Sequence, residues 1–133
     1  GDAFFPPDVL DKYGVPFYVE LDQTLQTLAD LLALPYRVFA QGHGDAYTML
    51  DDVVAYNRAR IEEIRSLALA AVEAPADAGE VLKFVADHLG INIVQPAIYY
   101  LTRTTIHACL QSLLRAGQVE IVVQDNRLLW RSQ

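Results

Sequence analysis

Cysteine is nearly absent from the 133-residue chain, whose only example is Cys109. A single cysteine excludes an internal disulfide and every zinc motif built on paired cysteines. Long apolar runs are lacking too: residues 90–101 carry no charge, but this stretch is too short and too polar for a membrane span. No signal-peptide pattern opens the sequence. We therefore expect a soluble, cytoplasmic protein without membrane contact.

Basic residues are scarce. The chain has 10 Lys and Arg against 17 Asp and Glu, a net charge of −7. Residues 101–133 carry four Arg and two acids, hence +2, so residues 1–100 carry −9. Because neutralisation of phosphate by cations supplies most nucleic-acid affinity, this balance disfavours general nucleic-acid binding. Only the last third of the chain is able to face phosphate.

Motifs for nucleophilic catalysis and phosphate binding are also missing. No Ser or Cys stands in a nucleophile motif with a base, and no Gly-rich phosphate loop is found. The hydrophobic share of 53% is ample for a packed core. The length suits one ordinary domain or two very small ones.

The first part of the sequence predicts short elements joined by tight connections. Apolar runs predict strands at residues 1–5, before two prolines, and at residues 36–40. Leucines at helical spacing predict a helix over residues 21–32, and residues 8–13 suit one or two helical turns.

From residue 45 onward the pattern predicts helices and a hairpin. A long amphipathic helix reaches Pro75, and Asp77 caps a second. Residues 91–101 hold an Asn, a Gln and a Pro and suggest a loop with at most one helical turn, after which Thr102 or Thr104 caps a third helix that ends at Gly117. Two strands follow, at residues 118–123 and 127–131, and a turn joins them. This is the order of a winged helix, so the fold class is α+β and mostly helical.

Two polar residues follow the predicted strands, Asp2 in Gly1-Asp2 and His43 in Gly42-His43-Gly44. Loops at strand ends commonly present ligands, and glycines on both sides leave the imidazole uncovered. A carboxylate with an imidazole suits Zn, Mn or Fe. By spacing alone, a His43 that merely caps a turn stays open.

With these motifs the chain resembles the metallo-β-lactamase fold family of hydrolases. In that family a strand ends in Gly-Asp, and a later strand ends in Gly-His-Gly. The segment VVAYNRARIEEI resembles the helix that follows in the family, and TTIHACLQSLLRAGQVE resembles the winged-helix part of several members. The resemblance implies that Asp2 bridges two metal ions, zinc or another divalent transition metal, and that His43 is the final ligand.

The family's His-x-His-x-Asp-His motif has no counterpart here, since the other histidines are His88 and His107, far downstream. Two ligands do not close a zinc or two-metal site, so we expect the chain alone to be inactive and to hold no metal tightly. The simplest explanation is a C-terminal fragment of a larger hydrolase, with residues 1–44 ending its metallo-β-lactamase domain and residues 45–133 forming a winged-helix-like domain. A naturally short chain is the alternative.

The partner expected for such a fragment is the missing N-terminal domain or a second copy, in a dimer or a swapped arrangement, because orphaned sheet edges pair readily. The rival function is a non-enzymatic interaction or DNA-binding module. In that case the third helix would present Arg103, His107, Gln111 and Arg115 to DNA, with Arg127 and Arg131 on the wing.

Other side chains have plainer expected roles. His88 suits a helix end, and Cys109 suits a buried apolar face. Aromatic residues either border a substrate pocket or pack in the core; they are Phe4, Phe5, Tyr47, Tyr56, Tyr99 and Tyr100.

Overall fold

The computed structural model describes residues 3–42 and 44–133. In this part of the chain five helices precede one hairpin, and the fold is α+β and mostly helical, as the sequence predicts. None of these helices combines the length and apolarity of a membrane span. The elements are α1 (Pro7–Tyr13), α2 (Leu21–Ala33), α3 (Asp51–Ala70), α4 (Ala78–His88), α5 (Pro96–Arg115), β1 (Val119–Gln124) and β2 (Arg127–Ser132).

The C-terminal hairpin is antiparallel and forms at the turn that the sequence predicts. Its register pairs Val119 with Ser132 and Gln124 with Arg127. Asp125 and Asn126 between the strands both have positive φ, 51° and 61°, as a type I′ turn requires. A third short piece of backbone joins β2, because Ala76, between α3 and α4, exchanges two hydrogen bonds of 3.0 and 2.8 Å with Trp130.

The core lies where α3, α4, α5 and the hairpin meet. Side chains from every one of these elements are buried there, including Ile61, Val81, Leu110 and Trp130. The same cluster takes in Phe4, Tyr18 and Leu28 from the first 44 residues. The division into units 1–44 and 45–133 stays a prediction.

The predicted loop at residues 91–101 is wrong in its second half. Helix α5 begins at Pro96, so neither threonine caps it. Thr102 is buried inside the helix, and the Thr104 hydroxyl donates to the Tyr100 carbonyl at 3.0 Å. The proline suggested a break, but proline is well suited to the first turn of a helix, where its missing N–H would have no partner.

The strands predicted at residues 1–5 and 36–40 are also wrong where the structure describes them. Residues 3 and 4 form a bend, and residues 36–40 take part in one isolated bridge, between Phe39 and Tyr47. A strand exists only where a neighbour pairs with it, and the described chain supplies no further neighbour to these segments.

Candidate functional site

Asp2 and His43, the two predicted metal ligands, lie outside the described residues, but the segments that follow them are in contact. The Phe4 ring meets the Tyr47 ring edge to face, with centroids 5.5 Å apart. A Cβ on Gly44 would stand 3.5 Å from the Pro6 side chain. Residues one to four positions after the predicted ligands are therefore neighbours in space.

The segment after Asp2 is fixed by the fully buried Asn57 of α3. The Phe5 amide donates to Asn57 Oδ1 at 2.9 Å, and Asn57 Nδ2 donates to the Phe5 carbonyl at 2.8 Å. A second Nδ2 bond reaches the Val53 carbonyl at 2.8 Å. The amide side chain thus replaces the strand neighbour that residue 5 lacks, and it ties this segment to the helical core.

The loop from Phe39 to Tyr47 is closed at its base by two backbone hydrogen bonds of 2.8 and 2.9 Å. Gly44 has φ of +109°, a backbone conformation that side chains with a Cβ rarely adopt, so this position favours glycine. Gln41 Nε2 donates to the Asp45 carbonyl at 3.3 Å, whereas the buried Gln41 Oε1 accepts no hydrogen bond in the described chain.

The described residues do not complete a metal site. Within residues 3–42 and 44–133, no group of three or more His, Cys, Asp or Glu side chains is placed to hold an ion. A catalytic zinc site needs about three protein ligands. The donor set implied by the resemblance, one carboxylate and one imidazole, therefore does not fit a zinc or two-metal centre by itself.

The four α5 residues that were predicted to read DNA divide between two faces. Arg103 and His107 line a groove with Tyr99, whereas Arg115 turns toward α2 and donates to Asp22 at 2.7 Å and Glu20 at 2.6 Å. Twelve residues at 100° each rotate Arg115 about 120° away from Arg103. Gln111 is exposed, without a hydrogen bond in the described part.

Three of the four arginines in the last third are held by carboxylates. Besides Arg115, Arg127 pairs with Asp77 at 2.6 Å and Glu80 at 3.2 Å, and Arg131 pairs with Glu120. Of these four arginines, Arg103 is the one whose side chain makes no hydrogen bond or ion pair with another described residue. Composition concealed this neutralisation, because the acids that face Arg115 and Arg127 come from the acidic first 100 residues.

The groove beside Arg103 lies between α5, the beginning of α4 and β2, and we refer to it as the α5 groove. Its volume is about 550 Å³. Burial and the nearby Arg103 charge lower the pKa of His107. The sequence places Arg103 and His107 on one predicted helix, but it puts Tyr99 in the predicted loop at residues 91–101 and does not show that the hairpin faces them. The lining is Asp77, Ala78, Gly79, Tyr99, Arg103, His107, Arg127, Leu128 and Trp130.

The remaining histidine and the cysteine have the expected roles. His88 ends α4, with Nδ1 2.8 Å from the Phe84 carbonyl and its ring stacked on Phe84 at 4.0 Å. Cys109 is fully buried, and burial raises the pKa of its thiol to about 12, so it is no nucleophile.

The six aromatic residues do not border one pocket. Phe4 is buried, with Tyr47 packed on it, and the exposed Tyr56 hydroxyl donates to Asp11 at 2.5 Å. Phe5 borders two clefts near α1 and α2, while Tyr99 borders the α5 groove. Core packing and surface contacts thus account for part of the set.

The fold is shared with a known class of domain. A crystal structure of a beta-lactamase domain protein from Burkholderia ambifaria matches it with a TM-score of 0.73, at 16% sequence identity over 85% of this chain. The chain spans about a third of that protein, 33% of its length. No protein family matches the chain by sequence, and neither does any curated protein.

Proposed function

We propose that the chain is the C-terminal part of a metal-dependent hydrolase of the metallo-β-lactamase superfamily. The contact between Phe4 and Tyr47 carries the proposal, because it joins the segments that follow Asp2 and His43. The shared fold with the Burkholderia ambifaria protein supports it further. In this proposal Asp2 and His43 are metal ligands, for zinc or another divalent transition metal.

The chain's own residues build one side of that site. Asn57 holds the segment after Asp2 on α3, and the Phe39 to Tyr47 bridge holds the loop that contains His43. A bound metal ion of this kind lowers the pKa of a coordinated water. Since one carboxylate and one imidazole leave the coordination open, hydrolysis requires further ligands from outside these 133 residues, and the chain alone is inactive.

Exposed apolar residues at the end of α2 and just after it point to the missing N-terminal domain as a partner. Leu32, Leu34, Tyr36 and Val38 are 41–65% exposed, and residues 36–38 have no ladder partner in the described chain. Exposed apolar side chains beside unpaired backbone are typical of a surface that another chain segment covers. We infer that the missing N-terminal domain covers this surface. When that domain is absent, a second copy of the chain covers it instead.

The rival function, a winged-helix interaction or DNA-binding module, has one observation in its favour. The bridge from Ala76 to Trp130 adds the short strand that winged helices place before their second helix. Against DNA binding, only Arg103 among the four arginines of the last third is unpaired in the described part. We therefore favour a winged-helix-like extension that shapes the substrate entrance of the hydrolase.

Metal analysis of the full-length protein tests the proposal. The complete reading frame is expressed, dialysed and assayed for bound zinc and manganese, as wild type and as Asp2→Asn and His43→Ala. Both variants are expected to lose metal and hydrolytic activity. Asp8→Asn and His88→Ala are matched controls, because both residues are exposed and lie on α1 and α4, and they are expected to keep both properties.

Two results would overturn the assignment. One is a reading frame that encodes no histidine cluster upstream of Gly1. The other is metal content in Asp2→Asn and His43→Ala equal to that of the control variants. Tight stoichiometric metal on the 133-residue chain alone would contradict the incomplete donor set.

A further inference from the structure

The free polar groups of the α5 groove are hydrogen-bond donors. Tyr99, Arg103 and His107 succeed one another at intervals of four residues, which places them on one face of α5. The phenol, guanidinium and imidazole make no hydrogen bond or ion pair with any described residue. Arginine has donors only, and the other two groups can each donate one hydrogen bond.

The acids nearest the groove are already engaged. Asp77 Oδ1 accepts from the amides of Gly79 and Glu80 at 2.8 and 3.0 Å, and its Oδ2 accepts from Arg127 at 2.6 Å. Glu80 accepts from the Asp77 amide at 2.7 Å and pairs with Arg127 at 3.2 Å. No carboxylate in the described part therefore pairs with Arg103.

The rest of the groove suits an apolar or planar group. Trp130 and Leu128 of the hairpin and Ala78 of α4 belong to its lining. The Trp130 indole N–H is buried and finds no acceptor in the described chain. The volume of about 550 Å³ lies in the range of pockets for small organic ligands, roughly 300–1,000 Å³.

We propose that the α5 groove binds a small organic oxyanion, a carboxylate or phosphate on an aromatic or apolar body. Arg103 is the main contact, and Tyr99 and His107 donate further hydrogen bonds. A polyanion such as DNA is disfavoured, because one unpaired arginine serves one anionic group and the chain carries −7 overall. None of the residues that line the α5 groove belongs to the segments around Phe4 and Tyr47.

Trp130 is the only tryptophan of the chain, so its emission reports on the groove. The purified chain is titrated with phenyl phosphate and, separately, with benzoate. A saturable change in emission is expected with at least one probe, and the tighter probe identifies phosphate or carboxylate as the preferred group. Inorganic phosphate, which lacks the ring, is expected to bind more weakly than phenyl phosphate.

Arg103→Gln provides the decisive comparison. Loss of a charged hydrogen bond is expected to weaken probe binding about 10-fold or more. Arg103→Lys keeps the charge without the planar fork and is expected to fall between the two. Arg58→Gln is the matched control, because Arg58 is an exposed arginine of α3 with no hydrogen bond in the described part, and it is expected to bind as wild type. Unchanged circular dichroism verifies the fold of each variant.

Three outcomes would overturn the proposal: no saturable change with either probe, equal weakening in Arg103→Gln and Arg58→Gln, and tighter, steeply salt-dependent binding of a duplex oligonucleotide. The last would assign the groove to nucleic acid.

Discussion

The described chain divides into two regions: the first comprises residues 3–42 and 44–50, and the second comprises residues 51–133. The two regions differ in how completely they bury their apolar surface. In the second region α3, α4, α5 and the hairpin enclose a core that includes Ile61, Val81, Ile106 and Leu110, all fully buried. In the first region Val19, Tyr36, Val38 and Met49 are 59–73% exposed. The second region exposes a few such side chains too, among them Val94 at 76% and Val123 at 74%, and the first region buries Leu21 and Leu28, so the two regions differ in degree.

The difference shows which structure each region is able to specify by itself. Helices satisfy their backbone hydrogen bonds internally, so α3, α4 and α5 need neighbours only for their apolar faces. Extended segments need a neighbouring strand as well. The backbone of residue 5 forms its hydrogen bonds with the Asn57 side chain, and the backbone of Phe39 forms them with Tyr47. Residues 36–38 have no such neighbour in the described chain.

The largest expected effect comes from the core of the second region. Leu110→Ala removes a fully buried side chain of α5 and is expected to lower the free energy of unfolding by about 2–5 kcal/mol. Leu34→Ala, in the first region and 41% exposed, serves as control and is expected to cost well under 1 kcal/mol. Urea denaturation gives both values. Equal losses would show that the two regions do not differ as described.

The hydrogen bonds between Asn57 and Phe5 tether the first region to α3, and their removal should have the next largest effect. Asn57→Leu keeps the volume but leaves the Phe5 N–H and C=O without partners. Each unsatisfied buried group costs about 1–3 kcal/mol. Asn92→Leu makes the same change at an exposed position and is expected to be nearly neutral. Urea denaturation measures stability, and limited proteolysis should cut Asn57→Leu before α1 more readily. A variant as stable as wild type would contradict the tether.

Helices and the hairpin were predictable from the sequence because their signals are local. The Asp77 cap, the apolar periodicity and the turn at Asp125 and Asn126 each lie within a short stretch of chain, and the structure agrees with them. Pro96 was misread as a break, since its meaning depends on which side of it the helix lies. The strands failed for a different reason: pairing depends on residues remote in the chain.

Candidate site residues follow the same rule. The alignment of Arg103 and His107 on one helix is a matter of local spacing, whereas Tyr99 joins them because α5 begins at Pro96, and the hairpin wall opposite them is a tertiary contact. The charge of the last third misled because Asp22 and Asp77, which bind Arg115 and Arg127, stand 93 and 50 residues earlier in the chain. Net charge by segment does not reveal such pairs.

A smaller effect is expected from acid, at the contact between α2 and α5. A hydrogen bond from Ser112 at 2.5 Å and the nearby Arg115 lower the pKa of Asp22. Because the folded pKa is lower than the unfolded one, the contact stabilises the fold above the ordinary Asp pKa of about 3.9. This contribution is lost as the pH falls through the folded pKa. Since the pair is half exposed, we expect about 0.2–1 kcal/mol.

Carboxyl NMR titration checks this pKa directly, and thermal unfolding between pH 7 and acid checks its consequence. Ser112→Ala should raise the Asp22 pKa toward its ordinary value, and Asp22→Asn should make the acid loss of stability shallower. Asp8→Asn, which removes an exposed carboxylate without a hydrogen bond in the described part, should keep the wild-type slope. An Asp22 pKa at or above the ordinary value would contradict the contact.

The smallest effect on stability is expected from the exposed strip of the first region, which consists of Leu32, Leu34, Tyr36 and Val38. A change in this strip is also the most informative test of the comparison. Val38→Ser changes a side chain that is 59% exposed, so its unfolding free energy should stay within about 0.5 kcal/mol of wild type. Its self-association in light scattering should nevertheless fall, because the strip has apolar side chains and unpaired backbone that a second copy can cover. Val123→Ser, 74% exposed on the paired strand β1, makes the same change in the second region and should leave association unchanged. If both variants lower association equally, or if wild type is monomeric at every concentration, then exposure of the first region does not mark an interface between copies.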